Sequence, residues 1–196
     1  MDIQETLFPE LGQSPPEAEP RGFRYQEEVV SEEEEAALGV SLGQLALRPF
    51  EFHGYFGNRK VLSFGLKYDF TRRSVEEADQ IPEFLSPLLA RAGNFAGCGT
   101  NSFLQVGVNE YRPGAGIGWH KDKPQFGIIV GVSLLGPATM RFRRAHGASW
   151  NRISHILKPR SIYMIAGEAR TEWEHSIRPV SELRYSINFR TLSIHC

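Results

Sequence analysis

The chain has 196 residues, with 22 Lys and Arg against 23 Asp and Glu, and 41% of its residues are hydrophobic. This length and composition predict one soluble globular domain with a sizeable core. No apolar run approaches the roughly 20 residues that a membrane span needs, and the acidic N-terminus has no secretory-signal pattern. Two cysteines, Cys98 and Cys196, are too few for a disulfide scaffold. We therefore expect a cytoplasmic monomer, or a nuclear one if the source is a eukaryote.

The net charge of -1 combines two unlike parts of the chain. Residues 1–40 carry a net charge of -9, whereas residues 41–196 carry +8. Between Asp122 and Glu168 there are seven basic residues and no acid. This asymmetry favours a polyanionic partner for the main body, and ordinary scatter of surface charge is the alternative.

The first forty residues predict a tail and a helix. Residues 1–20 are rich in Pro, Glu and Gln, a composition typical of a mobile tail, so we place a single domain over residues 21–196. Ser31 followed by Glu34 forms a capping-box pattern. It predicts a helix from Glu32 to about Ala46.

The rest of the chain predicts a second helix and many strands. The aromatic-rich segment 50–70 is interrupted by glycines, which indicates strands and tight turns. Apolar spacing predicts a helix over Pro82–Ala92 that ends near Gly93. Six further strands are predicted at 104–108, 128–135, 139–142, 153–157, 161–165 and 185–192. This pattern is typical of a mainly β fold (α+β), a sandwich or barrel with supporting helices.

Three separated residues suggest a metal site. His120 and Asp122 are two positions apart, so on an extended backbone their side chains point to the same face. Imidazole and carboxylate together suit a divalent metal such as Fe(II), although a surface turn is the more common explanation of such a pair taken alone. His175 supplies the third member of a two-His, one-carboxylate triad, unless it is a polar group satisfied within the fold.

The strand at residues 184–190 has one polar and one apolar face. The polar face holds Arg184, Ser186, Asn188 and Arg190, and the apolar face holds Tyr185, Ile187 and Phe189. Guanidinium groups that are buried need anionic partners, and a small carboxylate ligand is a suitable one. The alternative is a half-exposed strand with solvated arginines. Upstream, Asn109 and Tyr111 also share a face and can donate hydrogen bonds to a carboxylate.

The order of these motifs resembles the AlkB family of Fe(II)- and 2-oxoglutarate-dependent dioxygenases over roughly residues 50–192. The motifs are Asn-x-Tyr-x-Pro-Gly at 109–114, Trp-His-x-Asp at 119–122, a distant His, and two Arg separated by five residues. The resemblance implies a double-stranded β-helix, or jelly roll, with its core at about 103–192 and a lid at about 50–70.

The resemblance also implies the roles of individual residues. His120, Asp122 and His175 would bind Fe(II). The cosubstrate 2-oxoglutarate would be held by Asn109, Tyr111, Arg184, Ser186, Asn188 and Arg190, with Arg184 on its distal carboxylate, and O2 would be the second cosubstrate. Better-known members carry Asn where this chain has Ser186, which leaves open whether Ser186 or Asn188 takes that role.

The family resemblance implies oxidative demethylation of alkylated bases in DNA or RNA, with release of formaldehyde, succinate and CO2. The alternative is the same chemistry on a protein or another substrate. Well-known repair members have an acid where Pro124 stands, which puts the same lesion preference in doubt. Candidate substrate contacts are Tyr55, Phe56, Arg59, Lys60, Phe64 and Tyr68 in the lid, and Arg143, Arg144, Lys158 and Arg160 beyond it.

Overall fold

The first helix, α1, runs over Glu32–Gly43 in the computed structural model. The Ser31 hydroxyl accepts the Glu34 amide hydrogen at 3.2 Å, and the Glu34 carboxylate accepts the Ser31 amide hydrogen at 3.2 Å. The predicted capping box is therefore confirmed. The helix ends before the predicted Ala46 because its last turn tightens into i→i+3 hydrogen bonds at Gln44 and Leu45.

The second helix, α2, spans Ser86–Ala96 and follows a short 3-10 turn at Glu83–Leu85. The prediction that it ends near Gly93 is wrong. Gly93 lies inside the helix, where an added Cβ would be 3.0 Å from the Cys98 carbonyl oxygen, and Gly97 ends the helix with a φ of +74°. Cys98 is disulfide-bonded, so the cysteines give no support to a reducing compartment.

The remaining elements among the described residues, which are 19–52, 55–69 and 74–193, are thirteen strands, a short helix and a 3-10 turn at Thr100–Ser102. The strands are β1 Phe23–Gln26, β2 Arg48–Phe52, β3 Tyr55–Phe64, β4 Leu66–Asp69, β5 Ser74–Glu77, β6 Phe103–Tyr111, β7 Ile117–His120, β8 Phe126–Leu135, β9 Ala138–His146, β10 Ser149–Leu157, β11 Ser161–Ile165, β12 Glu174–Ile177 and β13 Arg184–Leu192. The short helix α3 is Gly167–Thr171. All six strands predicted after residue 103 are present, whereas β1, β5, β12 and α3 were not predicted.

The strands form two main antiparallel sheets that face each other, as the jelly-roll prediction requires. The larger sheet has the order β1-β11-β8-β13-β6-β3-β2, and the smaller has the order β10-β9-β12-β7. A separate two-stranded ribbon joins β4 and β5. Helices α1 and α2 contact β8 of the larger sheet, so one face of that sheet is covered by helices and the other faces the smaller sheet.

The alternation predicted along β13 is confirmed. Tyr185, Ile187 and Phe189 lie in the buried cluster that the larger sheet shares with α1 and α2. Asn188 and Arg190 point to the opposite side and line the cavity between the sheets. The larger sheet therefore has an apolar face that stabilises the fold and a polar face that is available for chemistry.

Part of the sequence interpretation concerns residues that lie outside the described ranges. The predicted tail falls almost entirely outside them, as do His53 and Gly54 of the predicted lid. Within the described residues, no helix is long and apolar enough to cross a membrane. The domain boundary at residue 21 stays a prediction.

Candidate active site

Strand pairing brings the three candidate metal ligands together. His120 at the end of β7 lies opposite His175 in β12, and their ring centroids are 4.3 Å apart. Asp122 follows β7, and its Oδ2 lies 3.2 Å from Nε2 of His175. The ligand atoms of all three residues lie within 4.8 Å of one another. Such a cluster of two imidazoles and a carboxylate has the composition of an Fe(II) facial triad.

The protonation states of these residues suit metal binding. Burial and the neighbouring His175 lower the pKa of His120 to about 4, so its imidazole is neutral at pH 7. Nδ1 of His120 lies 2.9 Å from the Gly118 carbonyl oxygen, which only accepts hydrogen bonds. The hydrogen therefore sits on Nδ1, and Nε2 keeps a free lone pair for a metal. Burial would raise the pKa of Asp122, but the His175 hydrogen bond and the Arg190 charge hold it well below its usual range.

The ligand cluster opens into a cavity of about 630 Å³ between the two sheets. Its polar lining includes Arg59, Gln105, Asn109, Tyr111, Tyr163, Asn188 and Arg190. Ile129, Met140 and Ile177 contribute apolar lining. A cavity of this size, with a few converging polar groups and apolar walls, is typical of a small-molecule site.

A buried guanidinium beside this cavity fits the carboxylate of a cosubstrate. Arg184 is fully buried, and its Nε donates a hydrogen bond to the Ser133 hydroxyl at 2.9 Å. Its guanidinium carbon lies 4.9 Å from the centroid of the Tyr111 ring, which lines the cavity. Neither Nη atom of Arg184 has a hydrogen-bond partner among the described residues. Because a buried charge is costly unless it is paired, these two donors call for an anion, and a carboxylate matches them in a bidentate manner.

The second arginine of β13 contacts the metal-site carboxylate. Nη1 of Arg190 donates a hydrogen bond to Gln105 Oε1 at 2.7 Å, and Nη2 lies 3.6 Å from Asp122 Oδ1. A Cβ at Gly107 would be 2.9 Å from Arg190 Nη1, so a larger residue here would displace this guanidinium from its observed position. Arg190 therefore orients Asp122, and Gln105 and Gly107 hold Arg190 in place. The sequence analysis missed both supporting residues.

Tyr163 on β11 is another residue that the sequence analysis missed. Its hydroxyl donates a hydrogen bond to Asn188 Oδ1 at 3.0 Å and lies 3.5 Å from the Ser186 hydroxyl. The Ser186 hydroxyl is also 3.3 Å from Asn188 Oδ1. Asn188 and Tyr163 both line the cavity, whereas Ser186 does not line it and supports Asn188 through this contact. The available sequence signal was Gly131, which interrupts an apolar strand and allows the Tyr163 ring to cross it.

The lid residues divide between the two faces of β3. Arg59 lines the cavity, with its guanidinium carbon 3.8 Å from the Phe50 ring centroid, and burial lowers its pKa. Lys60 faces the other way and lies 3.6 Å from Glu110. Phe64 is buried in the cluster beneath the helices. The interpretation of Phe64 as a base-stacking residue is therefore wrong, because strand alternation turns it away from the cavity. The side chains of Tyr55, Phe56 and Tyr68 lie outside the described part of the structure.

The other basic residues named from the sequence have acidic partners within the protein. The pairs are Arg143 with Glu174, Arg144 with Glu172, Lys158 with Glu27, and Arg160 with Glu35. Two of these acids belong to the acidic first forty residues. The net charge of +8 on the main body is thus partly neutralised internally, and less of it is left for a polyanion than the sequence indicates.

Residues 9–190 match the 2OG-Fe(II) oxygenase superfamily. The chain belongs to this superfamily. This oxygenase is 30% identical over 143 residues to an alkylated DNA repair protein ALKBH8 homolog of Arabidopsis thaliana, covering 61% of the chain and 41% of that protein. It is 28% identical to the tRNA (carboxymethyluridine(34)-5-O)-methyltransferase ALKBH8 of Mus musculus, covering 83% of the chain and 25% of that protein. The chain spans less than half the length of these curated relatives.

Solved structures confirm the fold of the oxygenase. OsALKBH1 matches with a TM-score of 0.67 and 15% identity, covering 88% of this chain and 97% of that one. A Pseudomonas putida prolyl-4-hydroxylase matches with a TM-score of 0.58 and 13% identity, covering 87% and 92%. The jelly-roll prediction and the AlkB-type resemblance are both confirmed. The cofactors expected from the sequence, Fe(II), 2-oxoglutarate and O2, are those of the superfamily.

Proposed function

We propose that this oxygenase oxidatively demethylates alkylated bases in DNA or RNA. The cosubstrate assignment depends on the buried Arg184 guanidinium. Its two Nη atoms have no partner among the described residues, and its guanidinium carbon lies over the ring of the cavity-lining Tyr111. The base substrate is supported by the relatives, whose names refer to alkylated DNA repair and to a tRNA uridine. We also propose that the protein is a monomer.

In this proposal the chain's residues bind and orient the reactants. His120, Asp122 and His175 hold Fe(II), and Arg184 binds the distal carboxylate of 2-oxoglutarate. Asn109, Tyr111 and Asn188 donate further hydrogen bonds, supported by Ser186 and Tyr163. Arg190 keeps Asp122 ionised and oriented. The apolar lining contributed by Ile129, Met140 and Ile177 excludes water from the reacting groups.

When bound, the metal and 2-oxoglutarate activate O2 to oxidise a substrate C–H bond. One oxygen atom enters the substrate and the other enters succinate, while the lost carboxyl group leaves as CO2. On an N-methyl group the product is a hydroxymethyl amine. That product breaks its C–N bond to give formaldehyde and the free amine, so atoms and electrons balance.

The proposal is tested with purified protein, Fe(II), 2-oxoglutarate and a panel of methylated oligonucleotides. We expect succinate and formaldehyde in equal amounts, and an oligonucleotide mass lower by one methylene group for each methyl removed. Methylated peptides in a parallel panel test the alternative substrate class. Turnover of peptides without turnover of any oligonucleotide would refute the proposed substrate and retain the oxygenase chemistry.

The residue roles are tested in the same assay. We expect His120→Ala and Arg184→Ala to abolish succinate formation, because the first removes a metal ligand and the second leaves a cosubstrate carboxylate unpaired. Arg24→Gln is the matched control, since Arg24 is an exposed arginine stacked on Phe95 of α2. Undiminished turnover in either test variant would overturn the assignment of that residue.

A further inference from the structure

The outer face of the smaller sheet carries a compact group of tryptophan and arginine side chains. We call it the outer-sheet patch and define it as Trp119, Arg141, Arg143, Trp150 and Arg152. Met140 and Phe142 are buried on the inner side of β9. Because side chains alternate along a strand, Arg141 and Arg143 face outward. Arg152 lies directly opposite Arg143 across the β9–β10 pair and shares its face.

Guanidinium and indole groups alternate across this patch. The Arg141 guanidinium carbon lies 4.7 Å from the Trp119 ring centroid. The Arg143 guanidinium carbon lies 4.6 Å from the Trp119 centroid and 4.3 Å from the Trp150 centroid. These contacts place the long cationic side chains over aromatic rings, an arrangement that favours order in the patch before a partner binds.

The patch is both exposed and positive. Trp150 keeps 39% of its surface accessible, an unusual amount for so large an apolar side chain, and Arg152 is exposed. Within the described residues, the acid paired with the patch is Glu174, which contacts Arg143. Three guanidinium groups against one carboxylate leave two positive charges for a partner.

The patch is continuous with the active-site cavity. Trp119 lines that cavity and is bonded to His120, whose side chain points to the opposite face of the smaller sheet. Because the strand order is β10-β9-β12-β7, a path from the cavity over the edge strand β7 would meet Trp119 first, and then Arg141, Arg143 and Trp150.

We propose that the outer-sheet patch binds a single strand of nucleic acid that extends out of the cavity. Exposed indole and guanidinium planes stack on unpaired bases, and the excess positive charge pairs with phosphates. A duplex hides the faces of its bases, and an acidic protein segment has charge without planar groups to stack. The inference rests on the proposed function for the unit in the cavity, but the patch is tested by binding alone.

The test is fluorescence anisotropy of labelled single-stranded oligonucleotides at several salt concentrations, without 2-oxoglutarate. We expect Trp150→Ala to weaken binding about five- to a hundredfold, because one base no longer stacks on an indole. Trp150→Phe should retain most of the affinity because it keeps a ring. Arg152→Gln should lower the slope of log affinity against log salt by about 0.7, because one phosphate is no longer neutralised by the protein.

Two matched controls lie on the helical side of the molecule. Val40→Ala removes exposed apolar surface from α1, and Arg24→Gln removes a stacked, exposed guanidinium beside α2; both should bind like the unchanged protein. The inference is overturned if the patch variants bind as these controls do, or if duplex or polyglutamate binds as well as the single strand. A different result separates the two proposals. If the patch variants lose binding and the controls do not, but the unchanged protein oxidises no methylated oligonucleotide, the binding role of the patch is supported and the proposed function is refuted.

Discussion

The buried hydroxyl group of Tyr163 contributes to stability through its hydrogen bond to Asn188, one of the residues assigned to the cosubstrate. It donates to Asn188 Oδ1, and Tyr163 itself is buried. We expect Tyr163→Phe to lower the free energy of unfolding by about 1–2 kcal/mol, because a buried hydrogen bond is removed and its acceptor keeps only the longer interaction with Ser186. Urea denaturation measures this change.

Tyr25→Phe is the matched control for that variant. The Tyr25 hydroxyl accepts the Lys158 amide hydrogen at an exposed position, where water replaces it at little cost. The two variants should therefore differ in stability, and equal losses would contradict the role assigned to Tyr163. Weaker 2-oxoglutarate binding is expected only in the Tyr163 variant.

At the scale of elements, Gly131 sets how closely β8 and the Tyr163 ring of β11 approach. A Cβ at Gly131 would clash with Tyr163 Cζ. We expect Gly131→Ala to destabilise the protein by about 1–3 kcal/mol, because the ring must move within a packed site. Thermal unfolding measures this effect.

The destabilisation expected for Gly131→Ala is checked by a double variant and by a control glycine. Truncating the ring in Gly131→Ala/Tyr163→Ala removes the clash, so the double variant should lose less stability than the sum of the single variants. Gly43→Ala at the end of α1, where an added Cβ meets no atom of the described residues within 4 Å, should not destabilise the protein. Additive losses would show that the ring does not account for the effect.

Helix α1 is joined to the end of β8 by one carboxylate. Glu35 Oε1 accepts the Leu135 amide hydrogen at 2.7 Å, and Leu135 lies opposite Arg184 in the sheet. We expect Glu35→Ala to lower the free energy of unfolding by about 1–3 kcal/mol, because it leaves a partly buried amide unsatisfied. Val40→Ala on the exposed side of α1 is the control, and an equal change in both variants would contradict this role.

The sequence predicted elements more readily than contacts between them. The capping box of α1 and the alternation of β13 are local patterns, so both were readable. The position of Tyr163 depends on Gly131 in a neighbouring strand, and that register is set by the whole sheet. The end of α2 was misplaced for the same reason, since Gly93 serves packing against Cys98 and does not stop the helix.

At the scale of the whole molecule, metal binding should stabilise the fold, because the metal site joins β7 to β12 and exists only in the folded chain. Adding Mn²⁺, which has ligand preferences close to those of Fe(II), at a hundred times its dissociation constant should raise the melting temperature by about 5–10 °C. His120→Ala should abolish the shift. A shift that survives in this variant would place the ion elsewhere.

Charge is the property that the sequence described least well at this scale. The acidic first forty residues and the basic body appeared as separate regions, yet Glu27 pairs with Lys158 and Glu35 with Arg160 in the folded chain. Residues far apart in the sequence have no local signal of such pairing. The three candidate metal ligands were found together because their order along the chain carried the family resemblance.

The pairing of β1 with β11 also has a consequence for synthesis of the protein. Phe23 lies opposite Ile165, so the first strand leaves the ribosome long before its partner exists. Until residue 165 has emerged, β1 has no neighbour in the larger sheet and the barrel cannot close. Such non-local pairing slows folding and prolongs exposure of unpaired strand edges. We therefore expect the nascent chain to stay prone to aggregation until residue 165 has emerged.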